Sequence, residues 1–386
     1  MLFCSDTYRP YVSGGVTSMD VYASELRALG HRVTIVAPGY PGAADEPHVV
    51  RLPSLPLPAY PNLRLIAPVS HRARRQLQAL APDIVHVHTP FAVGLLGLSL
   101  SRTVRRPLVF TCHSFYEEYT RYLAPLSGPL RGVIRRYLLA YCRRCQLVLA
   151  PSTHLRRFLR EIGTTTPIQV LPTGVRSPLS GPAGPIAPRR GRDARPDDAF
   201  VMALVGRLGK EKNLDLALTT LAELAGQAAP DRGRWRLLVI GGGPQAEPMR
   251  RLAVKLGVGD LVTFAGEIPR QQVFERLRLA DLMIFTSVIE TQGLVMLEAM
   301  ANGLPVVAAD SPVARELIRD GIEGRVVPGE PRQMAIAVRG IADDPARAAQ
   351  MGAEAWGRSR EYDPAVLARR LTAYYRELLG RVAAEE

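Results

Sequence analysis

The sequence predicts an α/β protein built from two doubly wound parallel-sheet, Rossmann-like domains facing each other across a cleft. Three observations carry this. Short apolar and β-branched runs alternate with amphipathic stretches along the 386 residues, and strands that are apolar throughout belong in parallel sheets covered on both faces. The alternation comes in two blocks separated by RSPLSGPAGPIAPRRGRDARPDD (176–198), a Pro-, Gly- and charge-rich stretch without periodicity that reads as a linker. With 47% hydrophobic residues, the chain can fill two cores and is too long for one small one.

In the first block RVTIVAP (32–38), DIVHVHT (83–89), PLVFTCH (107–113), LVLAPS (147–152) and IQVLPT (168–173) read as buried strands. Helical spacing covers stretches such as Thr17 to Leu29 and Pro129 to Cys145. After the linker, FVMALVG (200–206), WRLLVIGG (235–242), LVTFAG (261–266), DLMIFTS (281–287) and PVVAAD (305–310) repeat the arrangement. Beyond Asp363-Pro364 comes a last helix, AVLARRLTAYYREL (365–378). The expected divisions are residues 1–175, a linker at 176–199, residues 200–362, and a C-terminal helix at 363–386 packing back on the first domain.

Composition narrows the function classes. The longest apolar run, FAVGLLGLSL (91–100), is far short of the roughly 20 residues of a membrane span. MLFCSD at the start has no basic leader and reaches Asp6 too early for a signal peptide. Cys142 and Cys145 form a C-x-x-C inside a helical pattern, with no second pair to complete a zinc site, so a reducing cytoplasm is the expected compartment. Residues 1–175 carry 20 Arg and no Lys against 9 acids, a net +11, while residues 200–386 balance at 24 against 24. A front half so basic attracts nucleic acid, an anionic membrane or an anionic ligand, or is simply a solvated Arg-rich surface.

The candidate chemistry lies at strand ends. VGRLGKEKN (205–213) places Arg207 and Lys212 after the first strand of the second block, where a planar fork and a point charge suit a diphosphate. ETQGLVMLEAM (290–300) follows DLMIFTS. Gly293 allows close backbone approach, and a helix from about Leu294 offers its free N–H groups to an anion. Glu298 lies one turn below those amides on an apolar helix face, where a carboxylate suits a diol. A capping or ion-paired role fits Glu290 reasonably and Glu298 poorly. In YVSGGVTSMDVYASEL (11–26), Gly14 and Gly15 read as a turn before a helix. IGGGPQ (240–245) lacks the third glycine of a dinucleotide fingerprint and reads as a strand-end turn. His113 ends the strand in TCHSFYEEY (111–119).

Together GGV, FTCHSF, LVLAPS, VGRLGKEKN, GEIP, ETQGLVMLEAMANGLPVVAAD and DGIEGRVV, in this order, resemble the retaining glycosyltransferases of family 4, which have the two-domain GT-B fold. The resemblance implies an acceptor-binding first domain and a nucleotide-sugar-binding second domain. It implies that Glu290 holds hydroxyls of the donor sugar, with the amides of Gly293, Leu294 and Val295 near sugar and phosphate, and that Glu298 holds the ribose. Arg207 and Lys212 match the diphosphate-binding pair, His113 the histidine beside the transferred sugar, and Gly14-Gly15 the loop near donor phosphate and acceptor. The backbone around Ile268 falls where the family reads the base. No Asp-x-Asp lies at a strand end. Arg207, Lys212 and a helix N-terminus can neutralise the leaving diphosphate electrostatically, so no cofactor and no metal are expected, and Arg207, Lys212, Glu290 and His113 are the residues expected to serve catalysis.

For the acceptor, DTYRPYVSGGVTS, HTPFAVGLLGL, CHSFYEEYTRYL and ETQGLV look closest to the diacylglycerol glucosyltransferase branch. That resemblance implies UDP-glucose as donor, a lipid acceptor such as diacylglycerol, and a cytoplasmic enzyme peripheral at the inner face of the cell membrane. The basic first domain fits an anionic membrane surface. In PLRGVIRRYLLAYCRR (129–144), Leu130, Val133, Ile134, Tyr137, Leu138 and Tyr141 recur at helical spacing, with Arg131, Arg135, Arg136 and Arg143 opposite. Such a helix lies at a lipid interface or packs in the core with a basic solvent face. Two departures stand out: the first strand is shorter than the family's, and Ser311-Pro312 replaces a common Gly-Gly. A soluble sugar, a polysaccharide or an inositol phospholipid is the alternative acceptor. A nucleic-acid-binding protein is the reading from another class, and the absence of a recognition motif and of aromatic-interleaved basic runs speaks against nucleic acid.

Overall fold

The computed structural model describes residues 1–57, 60–117, 127–177, 199–226 and 232–385. Residues 178–198 of the expected linker, and 118–126 after the FTCHSF stretch, lie outside the described residues. The chain divides into two compact units, Met1–Gly174 with Pro364–Glu386, and Val175–Asp363.

The first unit runs β1 (Leu2–Cys4), α1 (Gly14–Ala28), β2 (Thr34–Pro38), β3 (Val49–Leu52), β4 (Ser54–Leu57), β5 (Tyr60–Ile66), α2 (His71–Ala79), β6 (Val85–Val87), α3 (Ala92–Thr103), β7 (Leu108–Thr111), α4 (Ser127–Cys142), β8 (Leu147–Ala150), α5 (Thr153–Glu161) and β9 (Ile168–Val170). Seven strands form one parallel sheet in the order β3-β2-β1-β6-β7-β8-β9, and β4 pairs with β5 in an antiparallel ribbon. Phe3, Ile35, Val85, Phe110 and Val148 in the strands are fully buried, as a sheet covered on both faces requires. Serines set three of the helix starts: Ser13, Ser70 and Ser152 accept from the amides of Val16, Ala73 and Leu155. The Ser13 cap corrects one expectation. Gly14 and Gly15 are the first turn of α1 rather than a turn before it, because the cap offsets their poor helix propensity.

The second unit holds β10 (Phe200–Val205), α6 (Leu214–Ala225), β11 (Trp235–Ile240), α7 (Ala246–Lys255), β12 (Val262–Gly266), α8 (Arg270–Leu277), β13 (Leu282–Phe285), α9 (Leu294–Ala301), β14 (Val306–Ala309), α10 (Pro312–Leu317), β15 (Gly324–Val327), α11 (Pro331–Ala342) and α12 (Pro345–Ser359). Its parallel sheet has the order β12-β11-β10-β13-β14-β15. Alternate residues of one strand serve two cores: Met202 and Leu204 pack in one cluster, Ala203 in the other, which is the period of a pleated strand. In both sheets the strand order reverses, between β1 and β6 and between β10 and β13. At such a point successive connections leave to opposite faces and open a crevice beyond the carboxyl ends of the strands.

The last helix, α13 (Pro364–Glu385), belongs to the first unit. Leu367, Ala368, Leu371 and Tyr375 are buried, the Tyr375 hydroxyl hydrogen-bonds Nδ1 of His86 at 2.5 Å, and Arg370 donates to the Val170 carbonyl at 3.0 Å.

Candidate active site

Beyond β10 the chain turns at Gly206 (φ 140°) into Arg207, which is exposed and makes no side-chain hydrogen bond among the described residues. The loop is braced from β11: the amide of Leu208 donates to the Gly242 carbonyl at 2.8 Å, and the amide of Gln245 donates to that of Leu208 at 2.9 Å. Gly241 (φ 141°) would bring a Cβ to 1.9 Å from the Gly206 carbonyl oxygen, so only glycine lets the two strand ends lie this close. IGGGPQ is thus a strand-end turn that fixes the Arg207 loop.

A 3-10 turn, Lys210–Lys212, leads to Asn213 in the left-handed region and then to α6. The end of β13 is stitched to it: Thr286 Oγ1 donates to the Lys212 carbonyl at 2.8 Å and Ser287 Oγ to that of Glu211 at 3.2 Å. Lys212 Nζ pairs with Glu290 Oε1. Gly206, Arg207, Lys212, Thr286 and Ser287 therefore line one crevice, at the reversal between β10 and β13. Glu290 leads to Gly293 (φ 72°), which stands before α9 without a capping side chain. The amides of Leu294 and Val295 make no hydrogen bond among the described residues, which leaves them open to an anion.

Glu298 is 7% exposed. Burial pushes its carboxyl above the ordinary carboxylate range, and the guanidinium of Arg270 opposes that shift. Arg270 Nε and Nη2 both reach Oε1 of Glu298, at 3.0 and 2.9 Å. This corrects the expectation that an ion-paired role suits Glu298 poorly: both glutamates are paired, Glu290 to Lys212 and Glu298 to Arg270. Arg270 was not singled out in the sequence. Its signal is a cation as the first residue of a helix with no acid in its first turn, against the helix dipole. The pair joins α9 to the start of α8, two residues beyond half-buried Ile268.

Gly14, Gly15 and His113 belong to the first unit, the other candidates to the second. A Cβ on Gly15 would lie 3.5 Å from Cγ of the His113 ring. His113 is not a lone histidine but the end of a row: Nε2 of His113 lies 3.0 Å from Nδ1 of His88, and the His86 and His88 rings stack at 4.2 Å between centroids. His86 also meets Thr111 Oγ1 at 2.7 Å. The sequence signal was the H-x-H of DIVHVHT, since alternate residues of a strand share a face. Burial lowers all three, His86 to about 3, His113 to about 4 and His88 well below 6.5, so the row is neutral at pH 7.

A pH dependence of stability follows. Below pH 6.5 the unfolded chain takes up protons at these histidines that the folded chain does not, so stability is lost as pH falls from 6.5 toward 4. Asp6 and Glu298, pushed up by burial, work in the opposite direction, two groups against three. Thermal melts should therefore give a Tm that declines between about pH 6.5 and 5, before ordinary carboxylates titrate. Ring resonances of these histidines that titrate near pH 6.5 would refute the neutral row.

The stripe on α4 packs inward. Leu138 and Tyr141 are buried and Ile134 packs against the same core, leaving Val133 exposed at 60%. The C-terminal half of this helix packs in the core, and Arg135, Arg136 and Arg143 are exposed, with Arg135 paired to Glu117. All four cysteines are buried and free. Among the described residues no helix is long and apolar enough to cross a membrane, and no cluster of three or more His, Cys, Asp or Glu is placed to hold a metal.

Residues 12–177 match the model described as Glycosyltransferase Family 4, and residues 188–357 match Glycosyl transferases group 1. The D-inositol 3-phosphate glycosyltransferase of Acidothermus cellulolyticus is 33% identical over 321 residues, 78% of this chain and 71% of that one. The chain belongs to glycosyltransferase family 4. This family 4 enzyme is 28% identical over 334 residues to the alpha-monoglucosyldiacylglycerol synthase of Streptococcus pneumoniae, covering 84% of this chain and 74% of that one. Among solved structures, sucrose-phosphate synthase from Thermosynechococcus elongatus aligns at a TM-score of 0.77 and 20% identity, over 98% of each chain. Anabaena HepE in complex with UDP aligns at 0.73 and 20% identity, over 97% and 99%. The two-sheet fold is thus that of these solved structures.

Proposed function

We propose that this glycosyltransferase moves glucose from UDP-glucose to diacylglycerol, with retention at the anomeric carbon and without a metal. The observation that carries the reading is the crevice at the β10–β13 reversal, which Arg207 and Lys212 line, with Lys212 paired to Glu290, four residues before the helix start whose Leu294 and Val295 amides are open among the described residues. Breaking the anomeric C–O bond puts new negative charge on the leaving diphosphate. Two cations and a helix N-terminus fixed in advance stabilise that charge without reorganising, each charge-assisted contact contributing about 1.5–3 kcal/mol. Donor entry exchanges partners: Lys212 turns to the diphosphate, and Glu290 accepts from hydroxyls of the sugar. Glu298 accepts from the ribose, and the backbone at Ile268 meets the base.

Support for a lipid acceptor comes from the alpha-monoglucosyldiacylglycerol synthases of Streptococcus pneumoniae and Acholeplasma laidlawii, at 28% and 27% identity. The net +11 of residues 1–175 supports attachment to an anionic, cytoplasm-facing membrane surface. Because the α4 stripe packs inward, attachment is electrostatic, through the Arg face, and weakens with salt. Against diacylglycerol stand the inositol 3-phosphate relatives, at 31% and 33% identity, which favour a soluble polar acceptor as the second reading.

The test is transfer of label from UDP-glucose into a chloroform-soluble product, with diacylglycerol in anionic vesicles and EDTA present. Labelled lipid is expected from the wild type and is expected to be lost in Glu298→Ala. Label that stays in the aqueous phase on an inositol phosphate would replace the lipid reading with the second one. Transfer that requires an added divalent cation would overturn the metal-independent mechanism.

A further inference from the structure

The Arg270–Glu298 pair is asymmetric, and the asymmetry bears on how the nucleotide is read. Both Nε and Nη2 of Arg270 go to the same oxygen, Oε1. Oε2 has no protein partner among the described residues, and it is not one of the side-chain atoms sealed away without one. Glu298 is almost wholly buried, with its side chain 10% exposed, while Arg270 is 41% exposed and stacks its guanidinium over Phe274 at 5.6 Å. A carboxylate in such surroundings is driven toward its neutral form by burial, and the only charge opposing this is Arg270. Arg270 opens α8 with no acid in its first turn, a position where the helix dipole disfavours a cation. A residue that violates a local rule in this way is compensated elsewhere, here by Glu298. The remainder of α9 contributes nothing polar to Oε2: Met296, Leu297, Ala299 and Met300 are buried apolar neighbours, and the Asn302 side chain bonds the Glu298 backbone carbonyl instead.

We infer that Arg270 is the positioning residue for ribose recognition: it holds Glu298 by Oε1, so that Oε2 alone is presented as a fixed anionic acceptor for a hydroxyl of the nucleotide's ribose. The inference rests on the proposal that Glu298 is the ribose carboxylate. It extends that proposal to a residue outside the E-x7-E spacing and to a definite oxygen. A single fixed acceptor makes recognition sensitive to the loss of one hydroxyl, because the charged oxygen is then left buried without its partner. Arg270 acts only through Glu298, so its effect vanishes when Glu298 cannot ionise.

The experiment is calorimetric binding of UDP and GDP, and of the 2′-deoxy and 3′-deoxy forms of whichever binds tighter, to the wild type, Arg270→Met, Arg270→Lys, Glu298→Gln and the Arg270→Met/Glu298→Gln double variant. Melting temperatures are recorded beside each titration. The wild type is expected to prefer the full ribose over one of its deoxy forms by about tenfold or more. In Arg270→Met that preference is expected to shrink to about threefold or less, and affinity relative to wild type is expected to depend more steeply on pH, falling as pH falls, because the charge that opposes protonation of Glu298 is gone. Arg270→Lys, which keeps the charge without the fork, should fall between them. On the Glu298→Gln background, Arg270→Met should change nothing further.

An Arg270→Met variant that keeps both the wild-type preference and the wild-type pH profile overturns the inference while leaving Glu298 as the ribose carboxylate. An effect of equal size on the Glu298→Gln background also overturns it, since Arg270 would then act directly or only through stability. Wild type and Glu298→Gln that bind full and deoxy nucleotides alike would remove the ribose assignment itself, and the inference with it.

Discussion

Alanine at Arg207 lowers kcat by about 10²–10³, the loss seen when one preorganised group is withdrawn from developing negative charge. The variant is informative because Arg207 is exposed and bonds to nothing else among the described residues, so its removal leaves the fold untouched and Tm unchanged. Lys212→Ala should lose activity to a similar degree but also lower Tm, because Glu290, with its side chain 16% exposed, is left without its counter-charge. Measuring kcat and Tm for both, with donor saturating, separates the two effects. Activity of Arg207→Ala within about threefold of wild type would mean that the diphosphate is not held at the end of β10.

Trp235→Ala should destabilise the second unit by about 3–5 kcal/mol. Trp235 is fully buried at the start of β11, meets Phe200 edge-on at 5.8 Å between centroids, and lies under the guanidinium groups of Arg234 and Arg339 at 5.0 and 5.1 Å. Removing the indole opens a large cavity that a sheet and two flanking cations are poorly placed to refill. Trp235→Phe should cost far less. Among the described residues the indole Nε1 is sealed in with no hydrogen-bond partner, a defect worth about 1–3 kcal/mol, and phenylalanine removes it while keeping most of the ring. Urea unfolding followed by circular dichroism gives both values. Equal midpoints for Trp235→Ala and wild type would show that this ring does not hold the core together.

The strands of both sheets were legible because each is a short apolar run bounded by turn residues. The exceptions have a common cause. β3, β15 and the β4–β5 ribbon lie at edges or outside the main sheets, and VVRL or GRVV carries a charge or a glycine where one face is open to solvent, so the apolar signal is diluted. Helix starts slipped for a different reason. Ser13 was passed over because two glycines follow it, yet the hydroxyl cap outweighs their propensity. At the candidate site, charged residues after strand ends singled out Arg207, Lys212 and Glu290, of which the structure sets Arg207 and Lys212 in one crevice and pairs Lys212 with Glu290. Arg270 and the His86–His88–His113 row were not found, since each acts through a partner distant in sequence: Glu298 is 28 residues from Arg270, and Tyr375 is 289 from His86. Partners of that separation are fixed by topology, which a reading of local spacing does not supply.

The first unit is assembled from the two ends of the chain, with the second inserted whole between Gly174 and Pro364. Synthesis therefore delivers the pieces in an awkward order. The inserted unit is complete as soon as Asp363 has left the ribosome, whereas the one begun at Met1 still lacks its last helix. Until then the face that α13 will cover stays bare, and the Nδ1 of His86 that will meet Tyr375 has no hydroxyl. The part made first is the part finished last, and the nascent chain passes through a stage in which one half is native while the other exposes the apolar seat of Leu367, Leu371 and Tyr375. A chain that stopped at Asp363 would carry that bare seat together with a complete second unit, which marks it for chaperones and proteases that bind exposed apolar surface.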